Sequence, residues 1–232
     1  MTEESTKTYI KGLSRRDYIQ KVHDLIQEEG VKAISIRRIA KELGCSSASL
    51  YRHFENLSEL LYYAELRTLA DYIVRLNEAE KKWKNIWDIY VGIWDCYSRE
   101  AFAHPEAYNL LFFEFTNVKL QSSIKEYYEM FPEDINATNQ FFLEMLRTPS
   151  FMGRDFEMCK KCIQAGAISA KDAAQLNRIA CLLFKGYFKG VLDDGIRPDE
   201  IDARVKMYID DLDMTVRALA IDLQGYEGYH RV

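Results

Sequence analysis

The sequence predicts an all-α protein, with a small N-terminal domain of three helices followed by a larger helical domain. Three observations lead there. Apolar residues recur at steps of three and four along most of the chain, which is the spacing of helix faces and not the alternation of strands. Four prolines and eleven glycines in 232 residues are too few for the many tight turns of an all-β sandwich. Charge is also uneven: between Ser5 and Phe54 ten Lys and Arg stand against five Asp and Glu, in a chain of net charge −5. A basic module in an acidic protein suits contact with a polyanion, although a solvated helix surface can carry the same charges, so local architecture has to decide.

The elements follow in order. From Ser14 to Glu29, Tyr18, Ile19, Val22, Leu25 and Ile26 form one helix face, with Ser14 as N-cap and Gly30 as a left-handed stop. Ser35 caps a short helix through Leu43, with Ile36, Ile39, Ala40 and Leu43 inward and Arg37, Arg38 and Lys41 outward. Gly44 ends it, and Ser46 or Ser47 caps a second short helix whose Leu50, Tyr51 and Phe54 continue the apolar stripe. A break at Glu55-Asn56 precedes one long helical pattern from about Ser58 to Trp83, which sets the domains at 1–56 and 57–232.

Two short helices joined through a glycine make a helix-turn-helix. A helix enters the major groove only if its leading residues are small, and Ser46, Ser47, Ala48 and Ser49 are. Tyr51, Arg52 and His53 place hydrogen-bond donors one turn later, near the groove walls. A purely structural helical hairpin is the alternative.

The stretch Ile34-Ser35-Ile36-Arg37-Arg38-Ile39-Ala40-Lys41-Glu42-Leu43-Gly44-Cys45-Ser46, followed by Ser49-Leu50-Tyr51-Arg52-His53-Phe54, resembles the N-terminal domain of the TetR family of bacterial transcriptional regulators. Helix Ile19 to Gly30 and Glu59-Leu60-Leu61 match the same domain, so the resemblance covers about residues 12–62. It implies a homodimer that binds a palindromic double-stranded DNA operator, usually as a repressor released by a ligand. Ser35 matches the family's capping Thr or Ser, which can touch phosphate. Ser46 to Ser49 match the base-facing start of the recognition helix. Tyr51 and His53 match residues that contact the DNA backbone, and Phe54 matches a packing aromatic. Two departures from the pattern stand out: Ser47 and Ala48 stand where Lys or Pro then Gly is common, and Leu57 where a phosphate-binding Lys is common. Lys7, Lys11, Arg15 and Arg16 are expected to compensate from the N-terminal side.

In the larger domain Pro105 starts a helix running to about Asn117. Ala101 to Pro105, Tyr108 and Leu111-Phe112 resemble a stretch of many TetR ligand-binding domains. Aromatic residues crowd the middle third, and a pocket is expected to draw on Trp87, Trp94, Phe102, Tyr108, Phe112, Phe113, Tyr127 and Phe141, with packing as the alternative role for each. The matching effector is apolar or aromatic. Two last helices, about Lys171–Asp193 and Asp199–Leu223, carry broad apolar stripes. They are expected to pair with a second copy through Phe184, Tyr187, Val191, Tyr208, Leu212 and Val216, helped by the small Gly186 and Gly190, though packing within one subunit is open.

No other chemistry is legible. Cys159-Lys160-Lys161-Cys162 lacks the second pair that a zinc site needs and reads as packing on one helix face. His23, His53, His104 and His230 show no metal spacing, and phosphate loops, nucleophile motifs and paired carboxylates are missing. No cofactor, metal or enzymatic activity is expected. No apolar run approaches the ~18 residues of a membrane span. The acidic start has no secretory h-region, and five scattered cysteines suit a reducing cytoplasm. The competing reading is a helical ligand-binding or scaffold protein with a degenerate DNA-binding module, motivated by Leu57.

Overall fold

The computed structural model describes residues 12–114, 118–135, 139–148 and 150–229. Lys7, Lys11, Asn117 and His230, all invoked above, lie outside the described residues. Those residues hold helices and turns and no strand, as the periodicity predicts. The chain divides into two compact units, one ending at Thr68 and one beginning at Leu69.

The first unit contains α1 (Arg15–Glu29), α2 (Ile36–Glu42), α3 (Ser47–Leu50) and α4 (Leu57–Glu65). Ser14, Ser35, Ser46 and Asn56 each cap the helix that follows, accepting the backbone N–H three residues on. Gly30 and Gly44 take positive φ, +79° and +59°, where a Cβ would be strained. Tyr18, Ile19, Val22 and Leu25 from α1, Leu50 of α3, Phe54, and Leu60 and Tyr63 of α4 close a core with at most 2% exposure at each. Each such burial stabilises by about 1.5–3 kcal/mol relative to an exposed side chain.

Two expectations are corrected here. The unit boundary lies after α4 and not at residue 56, because α4 packs on α1 and completes its core. The long helix from Ser58 to Trp83 is broken: α4 stops at Glu65, Leu66–Thr68 tighten into a 3₁₀ turn, and α5 (Leu69–Glu80) restarts. In that turn the Thr68 hydroxyl donates to the buried Glu65 carboxylate at 3.1 Å, a pairing favoured where residues three apart eclipse.

The second unit is built around α6 (Ile86–Ala103), capped by Asn85 and buried on nearly every side from Trp87 to Phe102, which makes it a core helix. The Trp83 indole lies on its bare backbone at Gly92, where a Cβ would come within 2.3 Å of the ring. α7 (Pro105–Asn109) begins at Pro105 and continues as a π-helical turn over Leu110–Glu114. There follow α8 (Val118–Met130), α9 (Gln140–Arg147), α10 (Phe151–Gln164), α11 (Ala170–Asp194) and α12 (Ile201–Leu219). α5, α10, α11 and α12 all pack against α6. The last helix ends at Leu219, short of Leu223, because the Ile221 and Asp222 N–H groups turn back to the Ala167 carbonyl.

Candidate nucleic-acid interface and core cavity

The helix-turn-helix places its small residues at the start of α3. The Ser46 hydroxyl accepts the Ser49 N–H at 3.2 Å; Ser46 and Ala48 are exposed and Ser47 is half-buried. The Ser49 hydroxyl is engaged from below, accepting from Tyr18 at 2.8 Å, so the core fixes its rotamer. Tyr51 was expected in the apolar stripe as well as on the DNA side; it points outward with 52% exposure, next to exposed Arg52. His53 is half-buried, its ring centroid 5.3 Å from that of Tyr18. Ser35 is exposed and its hydroxyl accepts the Arg38 N–H at 3.2 Å.

Not every base on this unit is available. Arg38 is held by Glu29 and Glu42, whose carboxyls are pulled below the usual range by hydrogen bonds from its guanidinium. Arg15, expected to reach toward DNA, instead bonds Glu59 at 2.9 Å with its guanidinium 4.9 Å from the Phe54 ring centroid and 4.4 Å from that of Tyr63. Its charge is used inside the unit. Arg37, Lys41 and Arg52 are exposed and carry no ion pair among the described residues.

In the second unit, two of the eight expected pocket residues, Trp94 and Phe112, line a cavity of about 40 Å³. The other walls include Tyr72, Tyr97, Phe151, Arg154, Asp155 and Met158. Such a void exceeds the ~10–15 Å³ that one water needs. It is far smaller than the ~300–1,000 Å³ that engulfs a larger ligand. The remaining expected residues pack elsewhere. Trp87 donates to the Asp222 carbonyl at 2.9 Å, and Phe102 stacks on Phe184 with centroids 6.0 Å apart. Tyr108 is fully buried against Tyr97, Phe113 packs on Phe188, Tyr127 bonds Asp134, and Phe141 lies under Lys161.

Asp155 and Arg154 escaped the sequence reading. Both oxygens of Asp155 are occupied: Trp94 Nε1 donates at 2.8 Å, Asn177 Nδ2 at 2.8 Å, Tyr90 Oη at 3.4 Å and Cys159 Sγ at 3.8 Å. Burial pushes its pKa up to about 6 against the pull of those donors. The signal was there, since Phe151, Asp155, Met158, Cys159 and Cys162 share one helical face and a carboxylate amid them is out of place. The two cysteines of the C-x-x-C are both fully buried, and burial pushes Cys162 up to about 12.

Comparison with known proteins decides the family. Residues 22–63, from within α1 through most of α4, match the sequence model of bacterial regulatory proteins, tetR family. An HTH-type transcriptional regulator of Staphylococcus aureus (strain USA300) is 30% identical over 130 residues, spanning 53% of this chain and 70% of that protein. Its counterpart in strain MRSA252 is 31% identical over the same length.

The chain belongs to the TetR family.

It is thus a DNA-binding transcriptional regulator with an N-terminal helix-turn-helix and a helical C-terminal unit. Solved structures support the fold. A protein of unknown function from Rhodococcus sp. RHA1 superposes with TM-score 0.55 at 21% identity, covering 92% of this chain and 99% of that one. A putative tetR family transcription regulator from Shewanella sp. PV-4 gives 0.50 at 13% identity, covering 90% and 100%. Among the described residues no helix of the regulator is long and apolar enough to cross a membrane.

The expected dimer residues of this TetR-family regulator need correction. Phe184, Val191, Tyr208, Leu212 and Val216 are at most 1% exposed within the single chain, so they are its own core. Only Tyr187 sits at the surface, half-buried, its hydroxyl donating to Asp211 at 2.6 Å. The outward faces carry different apolar residues: Leu182 is 61% exposed on α11, and Met207 and Met214 are 56% and 62% exposed on α12. Leu182 borders a shallow groove formed with Ile179, Leu183, Gly186, Tyr187 and Arg204.

Proposed function

We propose that this regulator is a cytoplasmic homodimeric repressor that binds a palindromic operator and leaves it when an effector enters the cavity beside α10. The observation that carries the reading is the helix-turn-helix itself, which presents Ser46, Ser47 and Ala48 at the tip of α3, with Ser35, Tyr51 and Arg52 exposed around it. Small residues let the helix end approach base edges, and the flanking donors suit phosphates on either side. Arg37 and Lys41 add cationic charge on α2. One such head covers only a half-site, so groove geometry calls for a second about 34 Å away.

The outer face of α11 and α12 supports the pairing. Two exposed methionines and an exposed leucine are costly to leave in water, and a Cβ at Gly186 would meet nothing within 4 Å, so a partner helix could lie close there. Effector release rests on the cavity of the second unit.

Sedimentation and fluorescence-anisotropy titrations against DNA upstream of the regulator's own gene test this. The wild type is expected to be a dimer whose affinity falls steeply with salt. Leu182→Glu should yield monomers with about tenfold or greater loss of DNA affinity and a native melting curve. A monomeric wild type, or binding that is absent or insensitive to salt, would favour the scaffold reading with a degenerate DNA module.

A further inference from the structure

We propose that the cavity beside α10 selects a small organic anion: a carboxylate on an aromatic or acyl body, bound by the Arg154 guanidinium and the Tyr97 hydroxyl. The inference rests on the effector reading above and adds the chemistry of the ligand. Arg154 is the cation of the cavity wall. Its Nε donates to the Thr148 carbonyl at 2.7 Å, and its guanidinium lies 4.7 Å from the Phe112 ring centroid, so the fork is held in place over an aromatic face. No acidic side chain pairs with it among the described residues.

The neighbouring carboxylate does not answer that charge. Asp155 lines the same cavity, yet its oxygens are taken by Trp94, Asn177, Tyr90 and Cys159. The surplus is therefore on the donor side. The Tyr97 hydroxyl is buried on the cavity wall and has no hydrogen-bond partner among the described residues. Tyr72, Tyr97 and Arg154 line the same cavity, and burial raises both phenols well above their ordinary range, so their hydroxyls stay protonated as donors.

A buried donor left without an acceptor is costly, and a guanidinium fork matches a carboxylate with two parallel N–H bonds. A neutral apolar guest would leave the buried Tyr97 hydroxyl unmet and offer nothing to the Arg154 charge. A cationic guest would face Arg154. The present void, about 40 Å³, is of headgroup size. The half-buried Phe151, on the wall away from the ring that holds Arg154, must swing outward to admit an aromatic or acyl body.

Isothermal titration calorimetry of the DNA-free protein at pH 7 tests the headgroup with four probes: phenylacetate, octanoate, and the amide and amine of the first, phenylacetamide and phenethylamine. At least one carboxylate should saturate the protein, with phenylacetamide and phenethylamine bound about tenfold or more weakly. Arg154→Gln should abolish that preference, and Tyr97→Phe should weaken the carboxylate several-fold; ligand-free melting curves of both variants check folding, and Arg154→Lys should recover part of the affinity. Equal binding of all headgroups, preference for the amine, no saturable carboxylate binding, or undiminished binding by folded Arg154→Gln would overturn the proposal. The DNA titration separates the two readings. Operator binding without carboxylate binding removes only the anion site, and carboxylate binding without DNA binding removes only the repressor.

Discussion

Arg15 and Arg52 lie on the same small unit and serve opposite ends. Arg15 is clamped between Phe54 and Tyr63 and bonded to Glu59, so its charge joins α1 to α4. Arg52 stands exposed beside Tyr51 at the end of α3. Arg15→Ala should therefore destabilise the N-terminal unit by about 1–3 kcal/mol in urea titrations while leaving the salt dependence of DNA binding intact. Arg52→Ala should change stability by less than about 0.5 kcal/mol and flatten the slope of log affinity against log salt by about 0.9. The outward place of Arg52 follows from the helix-turn-helix pattern, whereas the role of Arg15 cannot be read from the sequence, because the two rings that capture it, Phe54 and Tyr63, lie far along the chain. Asp155 is the converse case. It stands in an apolar helix face, a mismatch that local pattern does register, but its four donors come from three helices and only the fold assembles them.

At the scale of elements, the periodicity and the caps were legible because both are local. Ser14, Ser35 and Ser46 cap the helices expected of them, and Gly30 and Gly44 take the positive φ that ends a helix. What periodicity could not give was which of two apolar faces meets the chain's own core. α11 carries Leu176, Ala180, Phe184 and Val191 inward, and Ile179, Leu182, Leu183 and Tyr187 on the other side. A stripe that broad looks like one face in sequence, so interior residues were assigned to a dimer. The interruption between α4 and α5 was equally invisible, since neither Pro nor Gly marks Leu66–Thr68. α6 offers the clearest test of packing at this scale. Its Gly92 seats the Trp83 indole, and Gly92→Ala would drive a methyl into that ring. Overpacking of this kind costs about 1–3 kcal/mol, which a melting curve should register as a lowered midpoint with helix content unchanged. An unaltered midpoint would mean the indole is free to move aside.

The whole molecule is an acidic chain with a basic head, and that imbalance fits its proposed task. The head's excess charge suits contact with DNA, the acidic remainder suits limited non-specific adhesion, and the exposed Leu182, Met207 and Met214 on α11 and α12 are the proposed means of doubling the head. Each feature alone has an ordinary structural explanation; together they suit the proposed requirement for two α3 helices reading adjacent turns of one duplex. Selection of bound sequences from a random double-stranded DNA pool tests that requirement most directly. The enriched sequence should be an inverted repeat whose half-sites lie about 10 base pairs apart, or a whole number of turns. Enrichment of an isolated half-site, or no enrichment over the starting pool at low salt, would contradict the account.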